Sequence, residues 1–168
     1  MQFGRTAVQY LLRGLRARVG RMREKTVEIL LIEDNSEDVD LIMRALKKYN
    51  LANKVHVLRD GEEALDFINT MLNHCSSLRT NLCPKVILLD LKLPKIDGLE
   101  LLKRLRSDEN TRCIPVVILT SSGEDRDRIE SYRLGVNSYI VKPVEFENFV
   151  RAVGEIGCYW VLLNSPPY

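Results

Sequence analysis

From Thr26 onward, short runs of aliphatic and β-branched residues alternate with longer stretches in which apolar positions recur every three or four residues. The first pattern predicts strands and the second amphipathic helices. Neighbouring side chains of a strand point to opposite faces, whereas residues three or four apart share one side of a helix. Five strands are predicted, at Val27–Ile32, Val55–Leu58, Val86–Leu89, Val116–Leu119 and Ser138–Val141. The third, the fourth and the first from Ile29 onward are continuously apolar, as strands covered on both faces must be, while Val55-His56-Val57 alternates and suits a sheet edge. Between them, Val39, Ile42, Met43, Leu46 and Tyr49 form one helical stripe, with Asn35 and Ser36 as cap candidates. Leu65, Ile68 and Leu72 form a second, Leu99, Leu102 and Leu105 a third, and Ile129 with Tyr132 marks a shorter fourth. The last begins near Glu145 and runs through Phe146, Phe149, Val150, Val153, Ile156, Trp160 and Leu163, longer than one sheet face needs. The polar segment Asn69–Pro84 predicts a surface loop after the second helix. Strict strand–helix alternation makes this an α/β chain, a (βα)5 unit with a doubly wound parallel sheet.

Composition divides the chain further. Its 168 residues suit one domain with a hydrophobic core, and 45% hydrophobic content supplies the material. No apolar run approaches the roughly 18 residues that cross a bilayer, so no membrane association is expected. The net charge of +2 hides a basic leader: residues 1–25 carry seven Lys/Arg against Glu24, a balance of +6 that leaves −4 for the remainder. The domain proper is therefore acidic, and nucleic-acid binding by its core is not expected. In the leader, Val8, Leu11, Leu12, Leu15, Val19 and Met22 recur at helical spacing among the arginines. A membrane-surface or partner-docking helix, an organelle transit peptide and an upstream extension extraneous to the fold all fit that pattern. The division is then residues 1–25 as leader, 26–155 as the domain, and 156–168 as the extended last helix and tail.

Four cysteines form no CxxC pair and two histidines no metal-binding spacing, which suits a reduced, cytoplasmic protein. The chemistry instead gathers at strand ends, outside which open α/β sheets bind their ligands. The first strand ends in Glu33-Asp34, the third in Asp90, the fourth in Thr120-Ser121-Ser122 and the fifth in Lys142-Pro143. If the strands wind in the order 2-1-3-4-5, Glu33, Asp34 and Asp90 converge. Three crowded carboxylates repel unless a cation sits among them, and a hard divalent ion such as Mg2+ fits oxygen ligands of this kind. Lys142 adds a fixed ammonium and Thr120 a hydroxyl. Metal, ammonium and hydroxyl together would neutralise a phosphoryl group arriving at a carboxylate oxygen of Asp90.

The pieces Ile-Leu-Leu-Ile-Glu33-Asp34-Asn35, Ile-Leu-Leu-Asp90-Leu-Lys-Leu-Pro94-Lys-Ile-Asp-Gly98, Pro115-Val-Val-Ile-Leu-Thr120-Ser121 and Tyr139-Ile-Val-Lys142-Pro143 resemble the receiver domain of two-component response regulators. The resemblance implies a flavodoxin-like fold and Asp90 as acceptor of a phosphoryl group from a sensor histidine kinase. It implies Mg2+ held by Asp34, Glu33, Asp90 and the backbone carbonyl of Lys92, with Lys142 on the phosphoryl oxygens and a cis bond before Pro143 to aim it. It further implies that Thr120 swings to the phosphoryl group while Tyr139 rotates inward, remodelling the face of the fourth helix, fifth strand and fifth helix; a plain edge aromatic is the other reading of Tyr139. Pro94 and Gly98 match the loop after the acceptor strand, where they serve backbone geometry.

Only about a dozen residues follow the domain, so output is expected by contact rather than through a fused effector. The tail resembles that of small response regulators paired with phytochrome-type histidine kinases. Phe146, Tyr159 and Trp160 are then candidates for burial against a second copy in a homodimer, or for packing on their own domain. Such a protein signals without turnover, its phosphotransfer and dephosphorylation being directed at itself. A haloacid-dehalogenase-like phosphatase also uses an aspartate after a strand, but needs an acid two residues later, where this chain has Lys92. A flavodoxin-like FMN carrier wants a phosphate-cradling loop where Glu33-Asp34-Asn35 stands. A non-phosphorylated docking module usually lacks one of the acids or the lysine.

Overall fold

The computed structural model describes residues 27–75, 84–142 and 145–165. The basic leader with its predicted helix, Pro143 and the bond before it, and residues 76–83 and 166–168 lie outside the described residues.

Five parallel strands, β1 (Ile29–Ile32), β2 (Val55–Leu58), β3 (Val86–Leu89), β4 (Val116–Thr120) and β5 (Ser138–Val141), form one sheet in the order β2-β1-β3-β4-β5. The alternating β2 is an edge, and the continuously apolar β1, β3 and β4 are buried throughout. Their side chains divide by parity. Leu30, Ile32, Ile87, Leu89, Val116 and Ile118 pack on one side, Ile29, Leu31, Val86, Leu88, Val117 and Leu119 on the other. Helices α2 (Gly61–Cys75) and α3 (Gly98–Ser107) cover the first layer, and α1 (Ser36–Lys48) and α5 (Phe146–Cys158) the second. The remaining helix, α4, spans Asp125–Arg133.

Helix α1 starts where Asn35 turns its side-chain oxygen onto the N–H groups of Glu37 and Asp38, at 2.8 and 3.3 Å. Acids in its first turn and Lys47 and Lys48 in its last complement the helix dipole. Helix α2 is nucleated by a reciprocal pair: Asp60 Oδ1 accepts from the Glu63 N–H, while Glu63 Oε2 accepts from the Arg59 N–H.

Two expectations need correction. Asn69–Cys75 is helical rather than loop, because no Gly or Pro interrupts the chain from Glu62 to Cys75, and the polar Asn69 and Thr70 lie exposed on the helix surface. Ile129 and Tyr132 lie on α4, but 51% and 53% exposed; the residue α4 buries is Ser131, whose hydroxyl bonds back to the Asp127 carbonyl. A short helix held by so little apolar surface is the least anchored in the sheet.

Candidate functional site

The backbone ladder continues past the strand ends and carries the polar residues with it. Glu33 N–H donates to the Leu58 carbonyl, Asp90 N–H to that of Ile32, and Lys142 N–H to that of Thr120. Glu33, Asp90 and Lys142 keep the parity of Leu31, Leu88 and Ile140, so their side chains emerge on the α1/α5 side, at the N-terminus of α1. Thr120 and Tyr139 have the parity of Ile118, on the opposite side and on neighbouring strands.

Oxygens of Glu33, Asp34 and Asp90 lie within 4.8 Å of one another. Glu33 is wholly buried, Asp90 nearly so and Asp34 exposed. The Lys142 ammonium, on a side chain 10% exposed, reaches Glu33 Oε2 at 2.7 Å, Asp38 Oδ2 at 2.7 Å and Asp90 Oδ2 at 3.3 Å. The other Asp90 oxygen accepts from the Leu91 N–H at 2.7 Å. Asp38 is the member that the sequence reading missed. The available signal was its place in the first turn of a helix that starts directly after Glu33-Asp34.

Burial pushes the Glu33 carboxyl up to about 7, reinforced by the charge of Asp90 and opposed by Lys142. Burial also works against the Lys142 ammonium, but hydrogen bonds to Asp38 and Glu33 and the surrounding carboxylates outweigh it and raise its pKa. One ammonium among four carboxylates leaves a net negative pocket of hard oxygen ligands, one acid of which is reluctant to ionise unaided. That donor set fits a divalent cation such as Mg2+.

The raised Glu33 pKa has a stability consequence. Without metal, the folded chain keeps a proton that the unfolded chain gives up near 4.5, so the stabilisation is complete below that pH and is lost as pH rises through about 7. In chelator, urea unfolding from pH 4.5 to 7 should show the wild type losing about 3 kcal/mol relative to Glu33→Gln. A constant difference across that window would contradict the assignment.

The loop after β3 is held by close approach. A Cβ on Gly98 would stand 2.4 Å from the Asp90 carbonyl oxygen and 2.6 Å from the Leu91 Cα, so only glycine lets α3 start against the end of β3. Lys92, in the same loop, has an exposed side chain.

On the other sheet face, Thr120 is buried and its hydroxyl oxygen accepts the Ser122 N–H at 3.2 Å. Tyr139 already points inward: its hydroxyl donates to the Ser122 carbonyl at 3.0 Å, and burial raises its pKa. Ser122 Oγ in turn donates to Asp127 Oδ2 on α4 at 2.7 Å. Thr120, Tyr139 and α4 thus meet at one residue, Ser122.

After α5, the turn Tyr159–Leu163 widens to a π-helix, and the Lys85 ammonium caps the Val161 carbonyl at 2.8 Å. Val161 is buried and Trp160 packs partly against its own core, leaving Tyr159, Leu162 and Leu163 as the outward apolar group. The side chain of Phe146 lies outside the described residues.

A family model described as the response regulator receiver domain matches residues 29–154. The chain is 43% identical over 139 residues to the "Probable methanogenesis regulatory protein FilR2" of Methanothrix harundinacea, covering 83% of this chain and 86% of that one. It is 38% identical over 133 residues to the response regulator Rcp1 of Synechocystis, covering 79% and 88%. The Mn2+-bound structure of Rcp1 superposes with a TM-score of 0.72 at 35% identity over 83% of this chain and 98% of that one. The phosphorylated cyanobacterial phytochrome response regulator RcpA superposes equally well, with a TM-score of 0.72, 36% identity and coverage of 83% and 97%.

Proposed function

Because this chain belongs to the response regulator receiver family, we propose that Asp90 accepts a phosphoryl group from a phosphohistidine of a sensor histidine kinase of the phytochrome-linked kind. The observation that carries this reading is the meeting of Asp90 with Glu33, Asp34 and the Lys142 ammonium at the carboxyl end of the sheet. RcpA, a phytochrome response regulator, is known phosphorylated, and Rcp1 with Mn2+ bound; both support the assignment.

An Asp90 carboxylate oxygen attacks phosphorus in line, and the new P–O bond forms as the P–N bond to the donor imidazole breaks. The Leu91 N–H fixes one Asp90 oxygen, and the Lys142 ammonium takes charge from the transferred oxygens. Glu33, Asp34, Asp90 and the Lys92 carbonyl would hold Mg2+, which supplies the positive charge that lets the acceptor and phosphoryl anions meet. Nothing is turned over: the product is the modified protein.

Thr120 gives the transferred group a hydroxyl donor by turning from the Ser122 N–H. That releases the Ser122 loop, and with it the anchors of Tyr139 and α4. The face of α4, β5 and α5 exposes Ile129, Tyr132 and Val141, which suits output by contact. Tyr159, Leu162 and Leu163 suit a homodimer, with Trp160 as their half-covered support. Among the described residues no helix is long and apolar enough to cross a membrane.

Acetyl phosphate with Mg2+ is expected to add one alkali- and hydroxylamine-labile phosphoryl group, detected by intact mass, and excess chelator to prevent it. Sedimentation of the same samples is expected to show a dimer in at least one state. Labelling that ignores chelator would refute the metal-assisted reading, and a monomer in both states would refute the dimer.

A further inference from the structure

We propose that Asp38 is a positioning residue for the divalent cation: its carboxylate draws the Lys142 ammonium aside, so that lysine and metal share the pocket instead of competing for it. The inference rests on the reading of Glu33, Asp34 and Asp90 as a metal site. An ammonium has three N–H donors, and all three are used here, on Glu33, Asp38 and Asp90. Two of those acceptors belong to the cluster whose oxygens lie within 4.8 Å of one another; Asp38 does not. It is therefore the one partner that can keep the ammonium satisfied while Glu33 and Asp90 turn to a cation.

The frame around Asp38 is stiff. Asn35 caps its N–H at 3.3 Å, and the next residues along α1, Val39 and Ile42, are 4% and 0% exposed in the core. The carboxylate cannot follow the ammonium inward, so the ammonium stays on the α1 side. Stabilising the helix dipole does not explain the contact, because Glu37 supplies an acid in the same turn and a dipole-only carboxylate would stay in water. Asp38 instead reaches a side chain 104 residues away. Without it, the ammonium has only Glu33 and Asp90 to hold, and a cation must displace it from both.

The test is Mg2+ affinity, measured by titration calorimetry at fixed pH and salt on the full chain and three variants: Asp38→Asn, Lys142→Met and the pair together. Asp38→Asn should weaken Mg2+ binding about five- to tenfold in the presence of Lys142 and about twofold or less in its absence. Equal weakening in both backgrounds overturns the proposal, since that is the bare field of a lost negative charge, and so does no weakening in either. Should the Lys142 variants not fold, Asp38→Glu decides: recovery of most of the affinity supports positioning, and an affinity as low as that of the asparagine variant overturns it. A wild type that binds no Mg2+ would instead refute the metal reading itself, a separately visible outcome.

Discussion

Asp90→Asn is expected to cut acetyl phosphate labelling by more than about 1000-fold, because it removes the nucleophile and leaves everything around it in place. The side-chain amide is isosteric with the carboxylate and can still accept from the Leu91 N–H that orients the native residue at 2.7 Å. What it lacks is the charge that attacks phosphorus. The variant also relieves crowding, since the pocket then holds three carboxylates, Glu33, Asp34 and Asp38, rather than four. Its thermal midpoint in chelator is accordingly expected at or above that of the wild type, so lost labelling will not be mistaken for lost folding. Labelling that persists at a comparable rate would move the acceptor elsewhere.

Gly98→Ala tests the scaffold. The added methyl would meet backbone on two sides, 2.4 Å from the Asp90 carbonyl oxygen and 2.6 Å from the Leu91 Cα, and neither can swing away as a side chain could. The Gly98 N–H also donates to the Leu91 carbonyl at 2.9 Å, so relief by moving α3 breaks a loop hydrogen bond. A loss of about 3 kcal/mol in urea unfolding is expected, more than the gain in helix propensity returns. The protein that remains folded should label more slowly, because the strain falls on the acceptor residue. Gly123→Ala is the control: nothing lies within 4 Å of the methyl it would add, and it should be close to neutral. Equal stabilities for the two variants would refute the close-approach account.

Much of the fold was legible because it is written in local periodicity. Four consecutive aliphatics bounded by polar residues, as in Ile29–Ile32 or Val86–Leu89, are too short for a buried helix and suit a strand covered on both sides, and the alternation at Val55–Leu58 marked an edge. Acids at the ends of β1 and β3 and a lysine after β5 converged once the winding was known. Parity then put Glu33, Asp90 and Lys142 on one side of the sheet. Where expectation failed, composition was standing in for environment. Asn69–Cys75 looked like a loop because it is polar, although a solvated helix face is polar too. Ile129 and Tyr132 looked like a buried stripe because they are apolar, yet α4 turns them outward and buries Ser131.

On its own, then, the chain's order of residues determined the strands and the identity of the acids, hydroxyl and lysine at their carboxyl ends, since each depends on spacing within a dozen residues. Only the tertiary structure decided that Asp38 takes one donor of Lys142, that Tyr139 is tethered to the Ser122 carbonyl, and that Trp160 leans on its own core while Leu162 and Leu163 face outward. Those outcomes rest on ångström-scale distances between segments far apart along the chain. Hydrogen bonds and ion pairs depend steeply on such distances, and no local pattern encodes them.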